Sequence, residues 1–206
     1  MALEIYILDL IGTFTFAFYG AYVGLRRKFD IFGIAVAAFL TAVGGGTLRE
    51  LILNRLPDYF SDWHYLLAIA LGIIAAIFFF QHFSKINRYA LIIDAIGLVT
   101  FAFIGASHAV DAGLNPFGII LLATISAVGG GLLRDIAIAE TPQIFFKDFY
   151  ASPAILLGIL VVIFKDALSN SLAIYAILLA AFITRLAALY FKINLWGPRR
   201  SAEISK

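Results

Sequence analysis

Apolar residues run along this chain in stretches of about twenty, separated by short connections that hold the charges, prolines and asparagines. The stretches sit near 4–24, 31–53, 65–83, 89–110, 116–138, 151–167 and 171–191. A bilayer core about 30 Å thick is crossed by roughly 20 helical residues. The pattern therefore predicts an all-α integral membrane protein of seven transmembrane helices, with its termini on opposite sides of the bilayer.

The pattern also repeats. Shifting the sequence by 85 residues lays Asp9 to Ala21 on Asp94 to Ala106 with nine of thirteen positions identical. The same shift, without a gap, superimposes Gly44, Gly45 and Gly46 on Gly129, Gly130 and Gly131, Arg49 on Arg134, and Pro57 on Pro142. From Asp9 to Tyr65 there are 23 identities in 57 positions, which marks a duplication. One membrane domain, 1–206, is thus read as repeat one (4–83, spans 1–3), repeat two (89–167, spans 4–6), span 7 (171–191) and a tail (192–206). Three spans per unit force the second unit to enter from the opposite side, an inverted repeat with a two-fold axis in the membrane plane.

Composition supports the lipid setting and narrows the chemistry. The chain is 63% hydrophobic and 14% charged, against about 45–50% apolar and 25% charged for a soluble domain. A net charge of +2, spread over short loops, excludes nucleic-acid binding. The absence of cysteine excludes disulfides and thiolate chemistry. Eleven Lys and Arg residues fall on one side of the predicted bilayer and three on the other. The positive-inside rule then places the C-terminus in the cytoplasm and the N-terminus outside, in a cell (inner or plasma) membrane. Trp63, Tyr65, Tyr89, Tyr150 and Trp196 lie near span ends and read as an aromatic belt. His64, His82 and His108 stand singly near span ends, without metal-ligand spacing, and read as interfacial.

Two features sit where lipid-facing helices tolerate them poorly. The glycine triplets fall at the centres of spans 2 and 5, and each glycine costs about 1 kcal/mol relative to alanine in a helix. They predict a kink or unwound turn whose carbonyls, at Gly44, Gly45, Gly129 and Gly130, could hold a monovalent cation. The alternative is that they only let helices cross closely. Three residues beyond each triplet come Arg49-Glu50 and Arg134-Asp135; an unpaired arginine there costs at least about 2.5–3.5 kcal/mol. Asp9 and Asp94 match them in depth, so Asp9–Arg49 and Asp94–Arg134 contacts are expected, with Glu50 and Asp135 toward the interfaces. Thr41 and Ser126 lie beside the triplets on the same expected path. Arg185, inside span 7, reads as a snorkelling or packing residue.

Two three-span units, a Gly-Gly-Gly-x-x-Arg-[Glu/Asp] in the second span of each and a lone seventh span resemble the prokaryotic branch of the trimeric intracellular cation channel family. The resemblance covers residues 1–195. It implies a homotrimer with one pore in each protomer, bounded by spans 2 and 5 and passing monovalent cations such as K⁺ and Na⁺. It carries over to the six glycines as kink and pore-lining residues and to Arg49 and Arg134 as pore-adjacent charges. Asp9, Asp94, Glu50 and Asp135 are the charges that could neutralise or gate them. Sequences of this kind have also been labelled glycine transporters, so a secondary transporter of a small solute is the alternative. Few hydrogen-bonding side chains lie in the expected path beyond Thr15, Thr41, Thr100, Thr124 and Ser126, which favours ions. Residues 172–191 hold no lysine for a retinal Schiff base, and no His-Glu-x-x-His or serine–histidine arrangement points to an enzyme. No cofactor is expected.

Overall fold

Each predicted stretch folds as an α-helix in the computed structural model, which describes residues 2–85, 87–145, 149–168, 170–191 and 193. The expected tail, with Lys192, Trp196, Arg199, Arg200 and Lys206, and the loop residue Lys147 lie outside the described residues. The helices are α1 (Ala2–Arg26), α2 (Ile31–Ile52), α3 (His64–Lys85), α4 (Asn87–Asp111), α5 (Pro116–Ala137), α6 (Ser152–Ile163) and α7 (Ser171–Phe191). No strand occurs among the described residues.

Six of the seven are long and apolar enough to cross a membrane. α6 is the exception, with 12 residues, or about 18 Å of helix. The expected span 151–167 is therefore a short α6 followed by a 3₁₀ turn at Lys165–Ala167. The backbone leaves helical geometry at Phe164, just before the charged pair Lys165-Asp166.

The helix ends carry the repeat in their capping chemistry. Asp30 Oδ1 accepts from Gly33 N at 2.7 Å to start α2, and Asn115 Oδ1 accepts from Gly118 N at 2.8 Å to start α5. Each satisfies one of the orphan N–H groups of a first turn. α2 and α5 both close on a residue of positive φ, Asn54 (54°) and Ala139 (55°). The following N–H groups reach back to Glu50 O and Asp135 O, both at 2.8 Å, as in a Schellman ending.

Packing centres on α1 and α4, which lie against each other and bury most of their length. Phe16 of α1 stacks on Phe101 of α4 with centroids 5.1 Å apart, and the two are 85 residues apart. α2 packs on α1 and α5 on α4, each through a glycine. A Cβ on Gly20 would stand 2.5 Å from Ala37 O, and one on Gly105 2.7 Å from Leu122 O. Without a hydrophobic driving force between helices in lipid, such close backbone approach is what holds them.

Candidate functional site

α2 and α5 meet at the glycine triplets, and their contact is reciprocal. A Cβ on Gly45 would lie 2.0 Å from Ser126 O, and one on Gly130 2.1 Å from Thr41 O. No side chain fits at either position, so only glycine permits this approach. The expectation of interrupted spans is corrected here: α2 and α5 run unbroken through both triplets. Their carbonyls keep intrahelical partners, which removes the premise for a cation held on freed carbonyls of Gly44, Gly45, Gly129 and Gly130. Gly45 and Gly130 are instead needed by the crossing, where the backbone of one helix lies directly against the glycine of the other. Thr41 and Ser126 are buried there. The Thr41 hydroxyl donates back to Ala37 O at 2.7 Å.

Beyond the crossing, α2 brings Arg49 and Glu50 to Asp9 of α1. Arg49 Nε donates to Glu50 Oε1 at 2.6 Å, and Arg49 Nη2 lies 3.9 Å from Asp9 Oδ2. Two residues that the sequence did not single out for this role complete the cluster. Tyr65 of α3 donates its hydroxyl to Asp9 Oδ2 at 3.2 Å, and His108 of α4 places Nδ1 3.0 Å from Glu50 Oε1. A cavity of about 20 Å³ lies among Asp9, Thr13, Gly46, Arg49, Glu50 and Tyr65, room for one water-sized species.

The second cluster repeats the plan with different partners. Arg134 donates through Nε and Nη2 to Asp135 Oδ1, at 2.9 and 2.7 Å, and Gln143 N donates to Asp135 Oδ2 at 2.9 Å. Tyr150 donates to Asp94 Oδ1 at 3.1 Å, the counterpart of Tyr65 on Asp9. No ion pair between Asp94 and Arg134, the expected contact, occurs among the described residues: Asp94 Oδ2 lies 3.9 Å from Arg185 Nη2 of α7, and Arg134 pairs with Asp135. Arg134 lies over the Tyr19 ring at 5.3 Å from its centroid and Arg185 over the Tyr150 ring at 4.8 Å. Both are within cation–π range.

Several expectations change on this geometry. Glu50 and Asp135 are 3% and 2% exposed and pair with the adjacent arginine. Of the two readings of Arg185, snorkelling or packing, it packs: it is 2% exposed, lies over the Tyr150 ring and also faces Asp94. Tyr65 and Tyr150 are buried carboxylate ligands instead of belt residues, whereas Trp63 and Tyr89 are exposed at helix ends. The signal for the two tyrosines was present, since they are an identical pair at the 85-residue shift. Asp9–Arg49 is the expected contact that forms.

Burial makes each partner count. Isolated charges in a low-dielectric interior carry a penalty of several kcal/mol per ion that only close partners offset. Asp94 and His108 are both on α4, and 108 − 94 gives 14 residues, about 21 Å of helix. The two clusters therefore occupy opposite ends of α4, with the glycine crossing of α2 and α5 as the third element. Arg49 Nη1 and Arg134 Nη1 make no hydrogen bond among the described residues, which leaves one donor in each cluster for water.

Comparison with known proteins agrees with this plan. A family model described as Glycine transporter matches residues 6–81 and again 91–166, two copies offset by the same 85 residues. The inner membrane protein YadS of Escherichia coli (strain K12) is 32% identical over 157 residues, 75% of this chain and 76% of its own length. The membrane protein YvgT of Bacillus subtilis (strain 168) is 31% identical over 200 residues, 96% of this chain and 97% of its own length. A prokaryotic TRIC channel crystallised in 0.5 M KCl superposes with a TM-score of 0.85 at 30% identity, covering 95% of this chain and all 100% of that one. The TRIC trimeric intracellular cation channel orthologue from Rhodobacter sphaeroides gives 0.81 at 33% identity, over 92% and 99%. With both of its units matched and these neighbours along nearly its whole length, the chain belongs to the membrane-protein family whose model is described as Glycine transporter, on the prokaryotic TRIC branch.

Proposed function

We propose that the protein is a passive cation channel, a homotrimer in which each protomer has its own path for monovalent cations such as K⁺ and Na⁺, bounded by α2 and α5. The observation that carries this is the placement of two buried charge clusters, each of Asp, Arg and a second carboxylate, at opposite ends of α4 beside a crossing at which glycines of one helix lie against backbone carbonyls of the other. Solved neighbours described as cation channels and covered almost end to end support the same activity. The reciprocal contacts Gly45–Ser126 and Gly130–Thr41 support a two-fold axis between the units, and with it an inverted repeat in the membrane plane. On this reading the N-terminus is outside and the C-terminus cytoplasmic, and the Asp9–Arg49 cluster opens to the outside.

On this reading the crossing is the closed gate: the Ser126 and Thr41 carbonyls lie against Gly45 and Gly130, where a Cβ would not fit. Conduction requires α2 and α5 to part there, which would turn Gly44, Gly45, Gly46, Gly129, Gly130, Gly131, Thr41 and Ser126 toward the path. Arg49 and Arg134 next to a cation path are tolerable because Glu50, Asp9 and Asp135 offset their charge. The family description keeps a glycine carrier as the second reading. The first cluster's cavity of about 20 Å³ takes one water-sized species in this arrangement, and the few hydrogen-bonding side chains beside the crossing, Thr41 and Ser126 among them, favour ions over an amino acid. Planar-bilayer recording of the purified protein under a K⁺ gradient decides. Unitary current steps reversing toward the K⁺ equilibrium potential are expected; saturable glycine uptake without steps overturns the channel.

A further inference from the structure

We propose that Asp58 is the charge that gathers cations at one entrance of the protomer's path, and that it sets how the current entering there depends on ionic strength; this deepens the channel reading and rests on it. The charged residues in the wall of the first cluster's cavity are Asp9, Arg49, Glu50 and Asp58. Arg49 is 3% exposed, so a cation on that route meets a buried positive charge. Asp58 belongs to the same wall but is exposed, on the aqueous side of the arginine. A carboxylate in that place raises the local concentration of cations where the route begins.

Local structure explains the position. α2 ends at Ile52, and the chain turns back through the buried Pro57 into a 3₁₀ turn, Asp58–Phe60, in which Phe60 N donates to Pro57 O at 3.1 Å. Tyr59 ties this turn to α2, its hydroxyl 3.1 Å from that of Thr47. Pro57, Asp58 and Tyr59 all line the cavity, and the Asp58 charge is felt at Asp9 and Tyr65 in the same wall. Among the described residues Asp58 enters no ion pair. Of the other charges on this connection, Arg55 is exposed and lies outside the cavity wall, and Asp62 is bound by Tyr6 and His64.

The duplication supplies the contrast. A shift of 85 residues puts Gln143 in the place of Asp58, in a 3₁₀ turn, Gln143–Phe145, closed in the same way by Phe145 N on Pro142 O at 3.1 Å. Gln143 is drawn into the second cluster: its N–H donates to Asp135 Oδ2 at 2.9 Å, and its Oε1 accepts from the Tyr19 hydroxyl at 3.4 Å. One turn carries a neutral amide held by its cluster, and the other carries a carboxylate open to water. The two entrances therefore differ at equivalent positions, and the difference is one that salt screens.

The test is planar-bilayer recording of Asp58→Cys in the full-length protein, which has no cysteine of its own. In about 0.01 M KCl, where charges act across about 30 Å, the variant is expected to carry roughly half the wild-type current at the polarity that drives K⁺ in from the Asp58 side, the effect of one unit charge across about 10 Å of water. In about 1 M KCl, where screening is complete within about 3 Å, it is expected to match wild type. A negatively charged methanethiosulfonate added to that chamber should restore the lost current, and a positively charged one should lower it further by a similar factor. Asp58→Asn is expected to behave as unreacted Asp58→Cys, and Asp58→Glu as wild type. Equal effects of the two reagents, a loss that persists at the higher salt, or neutral variants without any current would show a steric or folding role and overturn the proposal. So would wild-type current in Asp58→Asn at the lower salt. Wild type without unitary current overturns the channel reading itself, and the proposal with it.

Discussion

Tyr65 and Tyr150 each donate to a buried aspartate, Asp9 and Asp94, across the same 56 residues of sequence. A hydrogen bond to a charged group contributes about 1.5–3 kcal/mol. Tyr65→Phe is expected to destabilise the protein by that amount, seen as a lower melting temperature in detergent, and an unchanged melting point would show that Asp9 finds another donor. At the helix ends, Ala139 occupies φ 55° and Gly113 φ 70°, the left-handed region that costs a non-glycine residue about 1–2 kcal/mol. Ala139→Gly should therefore stabilise by up to about 1 kcal/mol, while Gly113→Ala, although nothing crowds it, should destabilise by a similar amount. Denaturation midpoints of the two variants, moving in opposite directions, check this.

At the scale of elements, the triplets divide by what a methyl group would meet. Gly45 and Gly130 face backbone carbonyls, whereas Gly46 and Gly131 meet only side-chain atoms at 3.7 Å or beyond. Gly46→Ala and Gly131→Ala should be tolerated, each gaining up to about 1 kcal/mol of helix propensity. Gly45→Ala and Gly130→Ala push α2 from α5 at a cost of about 1–3 kcal/mol. They should lower the melting temperature and, in bilayers, raise the open fraction; equal behaviour of all four would refute the crossing as the closed gate. A second tie between elements joins α1 to α3: Tyr6 donates to Asp62 Oδ2 at 2.6 Å, and His64 N donates to Asp62 Oδ1 at 2.9 Å. The Tyr6 hydrogen bond first, then that from His64, hold the Asp62 carboxyl below its ordinary value. Its contribution is complete above the ordinary carboxylate range, near pH 4, and is lost as pH falls through the depressed value. Asp62→Asn should flatten the acid side of the stability–pH curve, measured as melting temperature from pH 6 to 3.

For the molecule as a whole, the proposed orientation puts Ser61 outside and Thr141 in the cytoplasm. The chain has no cysteine, so single Ser61→Cys and Thr141→Cys variants report without background. A membrane-impermeant maleimide should label the first in intact cells and the second only after permeabilisation; the reverse pattern would invert the topology. The ion pair between Arg27, after α1, and Glu140, after α5, puts those two connections at one face, as the proposed orientation requires. Likewise Tyr6, Asp62 and His64 gather the start of α1 and the start of α3 at one end.

The sequence by itself determined the helices and the duplication, because in lipid the length of an apolar run and an identity pattern at fixed shift are properties of the chain alone. Asp9–Arg49 was also within its reach, since depth along two adjacent spans follows from counting residues. Rotation about each helix axis was not: with apolar residues on every face, the pattern does not say which side turns inward. That is why Arg185 and His108 joined Asp94 and Glu50 unforeseen, why Tyr65 and Tyr150 passed for belt residues, and why Arg134 was assigned the wrong carboxylate. The glycine triplets show the same boundary. Their position at the centre of two spans is written in the chain, but whether a glycine unwinds its own helix or admits a neighbour depends on what lies opposite. Only the tertiary structure, by setting a carbonyl of one helix against a glycine of the other, decided for the crossing.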